Sequence, residues 1–459
     1  MSFDLVVRNA TVVTARGRFP ADLGIADGVF TAIDSPGTLT AGEGEVYDAT
    51  GLFVMPGVID GHVHFRQPGL EYKEDFMTGS RAAVHGGVTT VCDMPNTIPP
   101  TSTAERFAQK KKLAEDAVYC DIGLYGLIGQ ENSADLVPLI ESGVIAFKCF
   151  LGETVGKIPP PGDGVLVDAL RVIAPENVRV CFHAENDAIL QHGIRREQQA
   201  GRTDHLAHVD SRPIICELEA IQRVGLFAKE TGAKVHISHL SSVDGLRLIE
   251  HWRREGVDMT TETAAHYCFL VAEQMETLGA RLRMNPPVRY SGHGEGLLEG
   301  LLTGSVNAIA TDHSPHVKDE KLKDNAWEAI SGFAGVEISL RLFLTYAVNS
   351  GRMSLEQLAR ATSEGPARIW GLYPRKGAVQ LGSDADLTVV DASVEGVIDE
   401  DQLHGKNNVT PFNGQKTTGA AVATIVRGEI VMRDGELTGV QHGRVVRPEA
   451  ARERAGAFS

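Results

Sequence analysis

The sequence predicts an α/β chain: a TIM-like (β/α)8 barrel over residues 58–374, with a small β-sandwich domain assembled from both termini. Two observations carry this. Eight short apolar, β-branched runs recur through the middle of the chain, and helical patterns separate most of them. Strands buried on both faces that alternate with helices imply a closed parallel sheet. An open doubly wound sheet would call for a glycine-rich phosphate loop after the first strand, and GxGxxG is absent there.

The first element is β-rich. Residues 1–57 contain DLVVRNATVV, ADLGIADGVFTAI and EVYDATGLFVMPG, strand-like runs broken by Gly- and Asp-containing turns. Residues 375–440 read alike, with ADLTVVD and AAVATIVRGEIVMRDGEL, and the two ends together suggest one composite domain. Residues 441–459 are expected to be a C-terminal tail. The eight barrel runs are VIDGHVHF (58–65), VTTVCDM (88–94), VYCDIGLYGLI (118–128), VIAFKCFL (144–151), VRVCFHAE (178–185), KVHISHL (234–240), VDMTTET (257–263) and VNAIATDH (306–313). Patterns such as EDFMTGSRAAVHG and SVDGLRLIEHWRREG read as the intervening helices. The Gly- and Pro-rich stretch from Gly152 to Gly164 is expected to be a loop after the fourth strand, where it could cover an active site.

Composition narrows the function classes. The chain has 459 residues and a net charge of −16, which disfavours nucleic acid and anionic membranes as partners. Its six cysteines form no CxxC pair, as in a cytoplasmic protein with reduced thiols. Neither a signal peptide nor a membrane-spanning apolar run is evident.

The chemistry is expected at the C-terminal ends of the barrel strands. There the runs carry His62 and His64, Lys148, His183, His239 and Asp312. Residues i and i+2 of a strand share a face, so His62 and His64 can bind one ion. Imidazoles with a carboxylate suit zinc and its neighbours. A single histidine at a strand end is more often a hydrogen-bonded core residue, and His85, His205 and His251 are read that way. His236, three before His239, is expected to face away. Lys148 fits poorly as an ammonium beside dications.

The stretch from Pro56 to Thr101, then FKCFLGET, CFHAEN, HISHLSS, RMNPPVR, ATDHSPH, GSDADLTVVD and NVTPFNGQK, resembles the cyclic amidohydrolases over essentially the whole chain. The resemblance implies two divalent metal ions, zinc by preference. His62, His64 and Asp312 would hold one and His183 and His239 the other, bridged by hydroxide and by Lys148 carboxylated by CO2. Asp312 would be the catalytic base and acid in opening a ring amide. HxHxR, MPNT and DHxPH together are similar to dihydroorotases, implying substrate contacts from Arg66, Asn96, Asn285, His316 and Thr154 and a role in pyrimidine biosynthesis. Val155 departs from the Phe of the animal enzymes. SRPIICELEAI and GFAGVE look closer to allantoinase and to hydantoinase or dihydropyrimidinase, which stand as the alternative. A metal-free, non-catalytic assembly protein is a further one, although this chain keeps all six ligand positions. A small cyclic amide and a homo-oligomer, dimer or tetramer, are the partners implied.

Overall fold

In the computed structural model, residues 2–116, 118–153, 156 and 158–449 are described. The strands of the two ends hydrogen-bond as one nine-stranded sheet. Its two halves meet where Phe53–Pro56 pairs antiparallel with the start of Leu387–Val397, Val54 opposite Val389. Phe53–Pro56 also lies parallel to Leu5–Thr14, so the N-terminal meander and the C-terminal hairpins share one sheet and one apolar core. Leu5, Val7, Val12, Leu23, Val54, Leu387 and Ile425 fill that core.

The barrel strands are β1 (Val58–Val63), β2 (Val88–Asp93), β3 (Asp121–Leu124, resuming at Gly126–Leu127), β4 (Phe147–Phe150), β5 (Val180–His183), β6 (Val235–Ile237), β7 (Met259–Thr263) and β8 (Ala308–Ile309). All neighbouring pairs are parallel, and a parallel bridge from Val63 to His313 joins the first strand to the segment after the last. The order follows the sequence, as connections through helices require. Aromatic and small residues plug the interior. The Trp370 indole, at the C-terminal end of the helix Gly365–Ile369, donates to the Tyr125 hydroxyl at 2.6 Å, which donates to the Gly61 carbonyl at 2.9 Å. A Cβ on Gly61 would lie 2.0 Å from the Trp370 ring, so only glycine fits between Asp60 and the candidate ligand His62.

The helix after β1, Phe76–His85, starts at Asp75, whose side chain accepts from the Thr78 amide at 2.8 Å. The loop before it is clasped by a distant segment. Asn407 donates to the Lys73 carbonyl at 2.7 Å, and the Lys406 ammonium reaches Asp75 and the Glu71 carbonyl. Within the expected C-terminal tail, Val445–Val446 adds as a parallel edge to β3. No described helix is long and apolar enough to cross a membrane.

Candidate metal centre

β1 delivers His62 and, one residue past its end, His64. β4 delivers Lys148, β5 ends on His183, and the segments after β6 and β8 carry His239 and Asp312. All six side chains are buried. The Nε2 atoms of His62 and His64 lie 3.4 and 3.2 Å from the same Asp312 oxygen. His183 Nδ1 and His239 Nε2 lie 3.0 Å apart, and the His62 ring centroid is 5.1 Å from that of His239. The sequence-predicted ligands therefore converge in space.

Three of the four imidazoles are aimed by their other nitrogen, whereas His239 Nδ1 is buried without a hydrogen-bond partner among the described residues. His62 Nδ1 is 2.6 Å from Glu262, His64 Nδ1 is 2.8 Å from the Asn96 carbonyl oxygen, and His183 Nε2 is 3.0 Å from Glu185. Such partners fix which nitrogen faces inward. Burial pushes the His62 imidazole down to about 4, so it is neutral and able to donate a lone pair. Burial opposes ionisation of Glu185, but Arg212 and His183 override it and hold the carboxyl down to about 2. Arg212 Nη1 sits 2.5 Å from Glu185.

Lys148 is fully buried, and its amine donates to the Ser238 hydroxyl at 2.8 Å. Among the described residues no carboxylate lies within ion-pair distance of it. Burial lowers its pKa from the ordinary lysine range. The Phe150 ring lies 5.5 Å from the amine.

A small cavity of about 20 Å³ beside Asp312 is lined by His64, Arg66, Asn96, Asn285, Ser314 and Ser331. Arg66 is 2% exposed and its Nη2 lies 3.1 Å from His316 rather than from Glu71 or Glu74. Burial brings its guanidinium down to about 10. Arg66, His239 and Asp312 all adopt left-handed backbone conformations, with φ of 64°, 38° and 49°. Such conformations are uncommon outside glycine and cluster at functional sites. Thr154 lies outside the described residues. A larger cavity, about 840 Å³, lies elsewhere, beside Asp384 and Arg427 at the sheet–barrel seam.

Sequence reasoning missed Glu262 and Glu185. A signal existed: Glu185 is two residues after His183, and Glu262 lies near the end of the VDMTTET run. His236 does not simply face away. Its Nε2 is 3.2 Å from Glu262, so one carboxylate orients both it and His62.

The donor set fits the metal ions that the fold implies. Three ligand atoms from His62, His64 and Asp312 lie within 4.8 Å of one another, and two further imidazole nitrogens face each other alongside. Comparison with known proteins agrees in kind. The chain is 38% identical over 449 residues to an allantoinase of Solibacter usitatus, covering 97% of each chain. It is 38% identical over 436 residues to a dihydroorotase of Methanothermobacter thermautotrophicus, covering 95% of each. The structure of an L-hydantoinase from Arthrobacter aurescens superposes with a TM-score of 0.94 at 35% identity, covering 97% of this chain and 100% of that one. Further relatives at 33–37% identity are allantoinases, so dihydroorotase is not the activity best supported among the three. All three are cyclic amidohydrolases. The amidohydrolase family model matches residues 53–431, and the chain belongs to that family.

Proposed function

We propose that this cyclic amidohydrolase opens a hydantoin-type ureide ring, allantoin in the first place. The observation that carries this is the cavity lining beside Asp312. Asn96, Asn285, Ser314 and Ser331 supply neutral amide and hydroxyl groups, with Arg66 the one lining cation. That lining suits a neutral ring rich in carbonyl and N–H groups. The names of most of the relatives reported above support it. A second reading, dihydroorotate, is favoured by one detail: Arg66 Nε is buried without a hydrogen-bond partner and could meet a carboxylate.

His62, His64 and Asp312 would hold one divalent ion, and His183 and His239 a second, with Lys148 between them as its carbamate. When bound, such ions polarise a carbonyl and bring the pKa of water towards about 7. The chain's own groups do the rest. Asp312 takes the proton of the attacking water and returns it to the ring nitrogen as the C–N bond opens. Arg66, Asn96 and Asn285 orient the ring. Glu262, Asn96 and Glu185 keep the imidazoles in register.

The test is a side-by-side assay of the zinc-loaded enzyme with allantoin, hydantoin, dihydrouracil and dihydroorotate, with metal analysis on the same sample. Allantoin or hydantoin should give the highest kcat/KM. Dihydroorotate as the best substrate would replace the reading. Absence of turnover together with absence of bound metal would instead point to a non-catalytic assembly protein.

A further inference from the structure

Beside the cavity, His316 is buried between two cationic side chains. Arg66 Nη2 lies 3.1 Å from its Nε2, and the Lys73 ammonium lies 3.0 Å from its Nδ1. Lys73 is itself buried at 5% exposure and is paired with Glu320 at 2.5 Å. Glu320 in turn accepts from the Tyr72 hydroxyl at 3.0 Å. This file of side chains runs from the exposed Tyr72 to the cavity wall.

Donor chemistry orders the file. An ammonium can only donate, so His316 Nδ1 must accept from Lys73. Burial, Arg66 and Lys73 all disfavour a second proton on the ring. The one remaining proton therefore sits on Nε2, where the Ser331 carbonyl accepts it at 3.1 Å. A protonated Nε2 has no lone pair for Arg66. The adjacent Arg66 Nη2 is then a donor in want of an acceptor, and so is Arg66 Nε. Ser331 also donates from its hydroxyl to the Asn285 side chain at 3.0 Å, which ties the same unit to a second cavity residue.

We propose that Lys73 is a positioning residue: braced by Glu320, it fixes the tautomer of His316 and so leaves the Arg66 guanidinium free for substrate. With Lys73 neutral or removed, the ring can take the opposite tautomer, accept from Arg66, and occupy the donor that should meet the substrate. Lys73 thereby governs substrate affinity without touching the reacting atoms.

The inference rests on the ureide reading only through its kinetic readout. The experiment is nitrogen NMR of histidine-labelled, zinc-loaded enzyme, with His316 assigned by His316→Gln, alongside kinetics on allantoin. The wild-type ring should carry its proton on Nε2. Lys73→Met should populate the other tautomer and raise KM about tenfold, the scale of one hydrogen bond, while kcat changes less than about threefold. Lys73→Arg, which still donates, should restore most of the affinity. A proton on Nδ1 in the wild type overturns the proposal, as does a Lys73→Met enzyme with lowered kcat and unaltered KM. Should Lys73→Met not fold, Glu320→Gln replaces it, with the same two readouts deciding. The tautomer needs no turnover, so a wrong substrate and a wrong role for Lys73 give different results.

Discussion

Two buried clusters of candidate ligand residues sit at opposite ends of the barrel. Asp312 lies where the strands finish, and Asp121 opens β3 at the other end, beside Asp384 and Asp386. Both groups bring three candidate ligand atoms within 4.8 Å of one another. They differ in what faces the carboxylates. Lys376 lies 2.7 Å from Asp121 and 3.2 Å from Asp384 and also contacts Asp386, while Arg427 contacts Asp121. That network supplies its own cations. Asp312 faces the imidazoles of His62 and His64, which burial keeps neutral, and among the described residues no lysine or arginine forms an ion pair with it. Proximity of acidic groups therefore says little about metal binding until the neighbouring charges are counted.

The comparison breaks most sharply at Asp312. Asp312→Asn should lower kcat on the order of 10²–10⁴-fold, the scale of lost proton transfer, with the urea unfolding midpoint little changed. A variant that unfolds readily would make Asp312 a structural acid like Asp121. The seam should respond in the opposite sense. Lys376→Met strands buried carboxylates and should cost about 3–5 kcal/mol of stability by urea unfolding, with kcat of the remaining folded enzyme preserved. Unchanged stability would show that the seam acids are neutralised otherwise.

Acid sharpens the contrast further. Glu185 is held down to about 2 against an ordinary 4.5, so its folded-state pKa is depressed. Such a group stabilises the fold above its unfolded pKa, and that contribution disappears as pH falls from about 4.5 towards 2, a loss of about 3 kcal/mol. Arg212 and His183 cause the shift at Glu185, whereas at Asp121 burial is overridden by Lys376 and Arg427, also lowering its pKa. Urea unfolding at about pH 5 and about pH 2.5, which span most of this window, should show part of the acid sensitivity removed by Lys376→Met. Identical pH slopes in both proteins would exclude a seam contribution.

Much of this was legible in the sequence for a physical reason. Parallel strands covered on both faces must be apolar throughout, so β1 to β8 stand out as runs, and their polar ends stand out against them. The candidate ligand histidines belong to that contrast. The break in β3 at Tyr125 was not legible, because VYCDIGLYGLI reads as one run and only the Trp370–Tyr125–Gly61 chain explains the interruption. Nor was the left-handed backbone at Arg66, His239 and Asp312. Face parity placed Arg66 beside His64. Its contact with His316, 250 residues away, needed the closed barrel. Glu262 was overlooked because a carboxylate at a strand end carries no spacing signature of its own.

The clasp of residues 404–408 on the loop that carries Lys73 has a temporal consequence. Lys406 and Asn407 grip a segment more than 330 residues earlier in the chain. During synthesis the loop beside β1 emerges long before the strap that secures it. A nascent chain can thus gather its histidines while the Lys73 end of the pocket still lacks its fastening. Completion of the pocket is coupled to arrival of the last strands, so a truncated product of translation would be born without a finished substrate site.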